Sequence, residues 1–127
     1  MTRYVGNIEE LTAANTFFRQ VIFTSQHTQL VLMCLQPNEE IGEEVHAVVD
    51  QFLRVEEGEG KVIMDGQEQA IKAGSVIVVP AGTKHNVVNT SATNPLKLYT
   101  LYSPPHHKDG TIHKTKADAQ ADEADHL

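Results

Sequence analysis

Residues 74–89 read GSVIVVPAGTKHNVVN, which spells two strands joined by a tight turn. Val76, Ile77, Val78 and Val79 form an apolar, β-branched run suited to a buried strand. Pro80 cannot donate to a ladder, so the strand ends there. Pro80, Ala81, Gly82 and Thr83 are turn chemistry, with Gly82 free to take positive φ. The chain resumes as a strand from His85 to Val88. His85 is therefore the first residue of a strand, beside a turn and near the mouth of whatever cavity the sheet encloses. A strand fixes the aim of its imidazole, which suits a metal ligand; the plain alternative is a polar residue at a strand start.

The flanking chain continues in short strands. They are expected at 17–23 (FFRQVIF), at 30–35, from 45 into 55, at 61–64 and 67–71 around the Asp65-Gly66 hairpin turn, and at 96–102. In the last of these, Leu96, Leu98, Thr100 and Tyr102 share one side. Asn7 is placed to cap a helix over 8–14, with Glu9 and Glu10 in its first turn. Residues 37–44 (PNEEIGEE) read as a solvated acidic loop or, alternatively, as an acidic rim beside a metal. Residues 103–110 (SPPHHKDG) cannot be regular structure. Residues 111–115 are expected to be extended, and 116–127 a short exposed helix or frayed tail. Many short strands with little helix argue for an all-β antiparallel barrel or sandwich and against a Rossmann or TIM fold. The domain division expected is an N-terminal extension (1–15), a β-barrel (16–113) and a C-terminal tail (114–127).

Composition narrows the function. A chain of 127 residues with 40% hydrophobic content suffices for one core. A net charge of -7, with aromatics at 6% and no Trp, argues against a nucleic-acid partner. No apolar run approaches membrane-spanning length, and the first residues lack a signal-peptide core. The single cysteine, Cys34, cannot make an internal disulfide and reads as a small buried hydrophobe, in keeping with a cytoplasmic location.

Gly74, Pro80, Gly82, His85 and Asn89 resemble the second cupin motif, G-x5-P-x-G-x2-H-x3-N, at every fixed position. The first cupin motif, roughly G-x5-H-x-H-x3,4-E-x6-G, is resembled in part by IGEEVHAVVDQFLRVEEG (41–58). His46 resembles its first histidine, Gln51 stands in the place of its glutamate, and Gly58 closes it. Val48 falls where the second histidine belongs, and the gap from there to Gln51 is one residue short. The resemblance implies a single-domain jelly-roll β-barrel, a homodimer, and a divalent transition metal (Mn, Fe, Ni, Cu or Zn) in one mouth of the barrel. Carried over by position, the ligands are His46, Gln51 and His85. Such a set has no negative charge, so it should hold a cation more weakly than a carboxylate-bearing one. Asp50 is the nearest replacement ligand.

Three functions are compatible with this reading. One is a metal-dependent enzyme, oxygenase- or isomerase-like, acting on a small organic molecule. In it Asp50, or Glu43 or Glu44, would move a proton, and Val48, Phe52 and Val87 would line the pocket. The others are a non-catalytic small-ligand binder and a metal-free scaffold, in which 17–23 is a candidate swapped strand of the dimer. His27, His106, His107, His113 and His126 are expected at the surface, the alternative being a tail that folds back over the barrel mouth and brings His106, His107 or His113 to the metal or to the mouth of a partner subunit. Tyr99 and Tyr102 are expected in packing roles.

Overall fold

The computed structural model describes residues 2–125. Helix α1 (Ile8–Ala14) is followed by nine strands: β1 (Arg19–Thr24), β2 (Gln29–Leu35), β3 (Asp50–Glu57), β4 (Glu59–Met64), β5 (Gln67–Lys72), β6 (Val76–Val79), β7 (His85–Asn89), β8 (Leu96–Ser103) and β9 (Ile112–His113). A short helix α2 (Lys116–Ala121) comes next. As expected, Asn7 caps α1, its Oδ1 accepting from Glu10 N–H at 3.0 Å. The Asp65-Gly66 hairpin joins β4 to β5, with both residues at positive φ.

The strands form two antiparallel sheets, a six-stranded one ordered β6-β3-β8-β2-β1-β9 and a three-stranded one ordered β5-β4-β7. Their inner faces share one core, in which Val31, Met33, Leu35, Leu53, Val55, Leu96 and Leu98 are fully buried. Each such side chain contributes roughly 1.5–3 kcal/mol over its exposed state. The alternation expected for β8 is observed: Leu96, Leu98, Thr100 and Tyr102 all point inward.

Two expectations need correction. The sheets are not closed into a continuous barrel. The free edge of β7 is instead covered by residues 39–44, through isolated bridges at Glu40–Val88 and Glu44–His85. Moreover, the strand expected from residue 45 begins only at Asp50. Glu44 is bridged to the smaller sheet and Asp50 pairs in the larger one, so the chain between them must cross from sheet to sheet and cannot stay in a ladder. From Asp50 onward the alternation sends Gln51, Leu53 and Val55 inward and Asp50, Phe52 and Arg54 outward.

Asn89 holds the far end of this arrangement. It is 1% exposed. Its Nδ2 donates to the carbonyls of Leu35, Gln36 and Asn94, at 3.2, 3.1 and 2.9 Å, and its Oδ1 accepts from Ser91 N–H. Asn89→Ala would strand buried backbone groups in three segments at once. We expect a loss of about 2–4 kcal/mol in denaturant unfolding; a loss within experimental error would show that these bonds are replaceable.

Candidate functional site

His85 opens β7, and its ring is held from behind. Nδ1 lies 2.9 Å from the Thr83 carbonyl, which can only accept, so Nδ1 carries the proton. In the neutral ring Nε2 then presents a lone pair toward Gln51 Oε1, 3.1 Å away. Gln51 Nε2 donates to Thr100 Oγ1 at 3.0 Å. Two lone pairs facing each other are satisfied by rotating the amide through 180°, or by a cation between them. Fixing one ring nitrogen by hydrogen bonding is how proteins orient the other as a ligand.

His46 comes from the sheet-crossing segment. Its carbonyl accepts from Gly82 N–H at 2.8 Å, and Gly82 takes φ 87°, a conformation that side chains with a Cβ rarely adopt. The His46 and His85 rings lie 5.2 Å apart between centroids. The strand bridge Glu44–His85 sets Glu44 beside them, with Oε2 3.4 Å from His46 Nε2. That approach does not have hydrogen-bond geometry: His46 Nε2 is sealed from solvent without a hydrogen-bond partner.

His106 reaches the same point from beyond β8, its ring 4.3 Å from that of His46. Glu44, His46 and His106 offer ligand atoms within 4.8 Å of one another. The segment carrying His106 is clamped by buried Gln29. Its Oε1 accepts from the N–H groups of His106 and His107, at 3.1 and 2.9 Å, and its Nε2 donates to the His107 carbonyl at 2.8 Å. Beside it, His107 Nδ1 donates to Asp125 Oδ2 at 2.8 Å, and the Tyr102 hydroxyl lies 3.3 Å from His107 Nε2.

Burial dominates the electrostatics. It lowers His46 from 6.5 to about 4, with His106, His85 and Arg19 adding repulsion. It lowers His106 and takes His107 to about 3. Burial likewise raises the Tyr102 phenol, which stays protonated and can donate to His107. Burial alone would raise Asp125, but bonds from Lys108 N–H and His107 outweigh it and keep the carboxylate ionised. At neutral pH the cluster is thus a set of uncharged imidazoles with available lone pairs beside carboxylates. These groups border a cavity of about 370 Å³, with Arg19 and α2 on its other side.

Of the residues singled out in the sequence, His46, Gln51 and His85 are brought together, and Glu44 joins them. Asp50 does not: it is exposed at the start of β3, where Oδ1 accepts from Ala81 N–H at 2.8 Å. Val48 is 76% exposed and does not border this cavity. Phe52 lies on the outer face. Val87, expected to line the pocket, is buried in the core instead and does not border this cavity. The alignment that assigned Val48 to a ligand position is therefore corrected. With Glu44 and His46 as the i, i+2 pair, four residues separate His46 from Gln51, six separate Gln51 from Gly58, and the gap is no longer short. That spacing was readable in the sequence. His106 and Arg19 carried no such signal. His107 and His113, expected at the surface, are buried, because the chain after Pro105 folds back over the end of the sheets. His27 is exposed as expected, and His126 lies outside the described residues.

The cupin-domain family model matches residues 31–102. The chain belongs to the cupin family. This cupin is 49% identical over 126 residues to the uncharacterized protein YrkC of Bacillus subtilis (strain 168), covering 94% of this chain and 67% of that one. It is 46% identical over 113 residues to the uncharacterized protein L612 of Acanthamoeba polyphaga mimivirus, covering 86% and 70%. The crystal structure of BH2720 from Bacillus halodurans is similar with a TM-score of 0.92 at 46% identity, covering 94% of this cupin and 95% of that chain. These names state no activity, so the function must be argued from the site. No helix among the described residues is long and apolar enough to cross a membrane.

The lowered His46 pKa has a defined sign. Between the unfolded value of 6.5 and the folded value of about 4, the unfolded chain takes up a proton that the folded site refuses. Stability should fall as pH drops through that window and stop responding to His46 below it. In metal-free protein, the His46 ring resonances should titrate near pH 4 by NMR. A midpoint near 6.5 would contradict the burial described.

Proposed function

We propose that this cupin holds a divalent transition metal at His46 and acts there on a small organic molecule. The observation that carries the reading is His46 Nε2, which is sealed from water, without a hydrogen-bond partner and beside Glu44 and His106. A buried ring nitrogen left without a partner is costly. A metal ion takes up a lone pair at shorter range than a water can. The donors fit: imidazole nitrogens with a carboxylate suit Mn, Fe, Ni, Cu or Zn. Glu44, His46 and His106 would hold the ion, with His85 and Gln51 on its inner side. Glu44 would also supply the negative charge that His46, Gln51 and His85 lack.

When bound, such an ion supplies Lewis-acid polarisation of a substrate oxygen or a redox centre. The chain's own residues supply the rest. Thr83 keeps the proton of His85 on Nδ1, and Gln29 keeps His106 in place. Tyr102, His107 and Asp125 form a buried hydrogen-bonded series from phenol to carboxylate that can hold a proton beside the cavity. A metal-dependent enzyme of oxygenase or isomerase type is the reading we favour, with a homodimer in the cytoplasm as its expected setting. The second reading, a non-catalytic binder, is favoured by the uncharged pair of Gln51 and His85 and is separated from the first by turnover.

Metal content by elemental analysis tests the proposal. The wild type should carry near-stoichiometric metal. His46→Ala should lose it, and His106→Ala should weaken it by about tenfold or more, as expected for a lost ligand or its support. Val48→His should change nothing, because that side chain faces solvent. Equal metal content in wild type and His46→Ala would sink the site.

A further inference from the structure

Arg19 is the feature of the cavity that the metal reading leaves unused. It leaves the inner face of β1 on the same side as Val21 and is 8% exposed. Its side chain borders the same cavity as Glu44, His46 and His106. Nη1 donates to His113 Nδ1 at 3.2 Å. His113 Nε2 in turn donates to Asp122 Oδ2 at 2.9 Å, which leaves Nδ1 as an acceptor. Cζ lies 5.2 Å from the centroid of the Phe18 ring. Nε–H is buried without an acceptor, while the Tyr102 hydroxyl hydrogen-bonds the guanidinium. The ionised Asp125 carboxylate lies close enough to feel the Arg19 charge.

A guanidinium cannot escape burial by losing its proton, as the neighbouring imidazoles do. A buried cation with a donor left unpaired is costly. The carboxylates around the cavity bond other groups: Asp125 accepts from His107 and Lys108 and reaches Arg19 through its charge, Glu43 pairs with Lys84, and Glu44 lies beside His46. An acceptor for the buried Nε–H, carrying its own negative charge, is therefore something a ligand would add.

We infer that the cavity takes a small carboxylate-bearing molecule, with its carboxylate on Arg19 and a second oxygen function turned toward Glu44, His46 and His106. A planar carboxylate matches the guanidinium fork. One guanidinium balances one negative charge, whereas a dianion would meet repulsion from Glu43, Glu44 and Asp125. The volume suits a compact acid rather than a polymer. The second contact rests on the metal proposed above; the first does not.

The experiment compares acids with their neutral amides: lactate with lactamide, 3-hydroxybutyrate with its amide, and levulinate with its amide. Each is titrated by NMR into metal-free and metal-loaded protein. We expect saturable shifts for at least one acid, with its amide weaker by about tenfold or more, as for a lost charge-assisted hydrogen bond. Arg19→Gln should erase that preference with metal content unchanged, and Arg19→Lys should retain part of it. If acid and amide bind alike in the wild type, or no acid binds, the inference is overturned without recourse to any variant. Protein that carries no metal but still prefers acids would overturn the metal site alone, and metal-loaded protein indifferent to charge would overturn Arg19 alone.

Discussion

The polar end of this molecule depends on one two-way backbone bridge. Glu44 N–H donates to the His85 carbonyl and His85 N–H donates to the Glu44 carbonyl, both at 2.9 Å. The bridge covers part of the free edge of β7 and carries the acidic loop with it. It also sets the register of everything that follows. Because side chains alternate along an extended segment, locking Glu44 opposite His85 determines that Glu44 and His46 turn to the cavity while Val45 stays exposed. A shift of one residue would exchange them.

The C-terminal segment completes what the bridge begins. Gln29, fully buried in β2, replaces the missing ladder partners of residues 106 and 107 with its own amide. Two histidine–carboxylate pairs, His107 with Asp125 and His113 with Asp122, tie the chain down over the sheets. The consequence is chemical as well as mechanical. Covering the mouth removes water from His46, His106 and His107, and that desolvation keeps them uncharged. A solvated cluster of the same rings would repel itself as each took up a proton. A dry one presents lone pairs, which is a receptor for a cation. Arg19 is different from these imidazoles, because its guanidinium keeps its charge when buried.

Much of the architecture was legible. The helix over 8–14, the Asp65-Gly66 hairpin, the β6–turn–β7 unit and the alternation of β8 all follow from local rules: a capping side chain, a positive-φ turn, a proline stop and a period of two. His85 was legible for the same reason, since its place at a strand start is a local fact. The first motif was misread by one ligand position. Two patterns, His46-x-Val48 and Glu44-x-His46, have identical spacing, and local chemistry prefers a histidine in the leading place. Gln51 keeps the same place in the motif under both.

The sequence alone determined the strand composition, the turns and the strand start that delivers His85, because each of these is decided by neighbours a few residues away. Tertiary structure alone decided which residues share the cavity. Glu44 is selected by a bridge across 41 positions (residue 44 to residue 85), His106 by a glutamine 77 positions earlier, and Arg19 by a histidine 94 positions later. No local preference encodes such pairings. They arise when burial forces each polar group at the closed end of the sheets to find a partner, and the partner is whatever the fold has brought there.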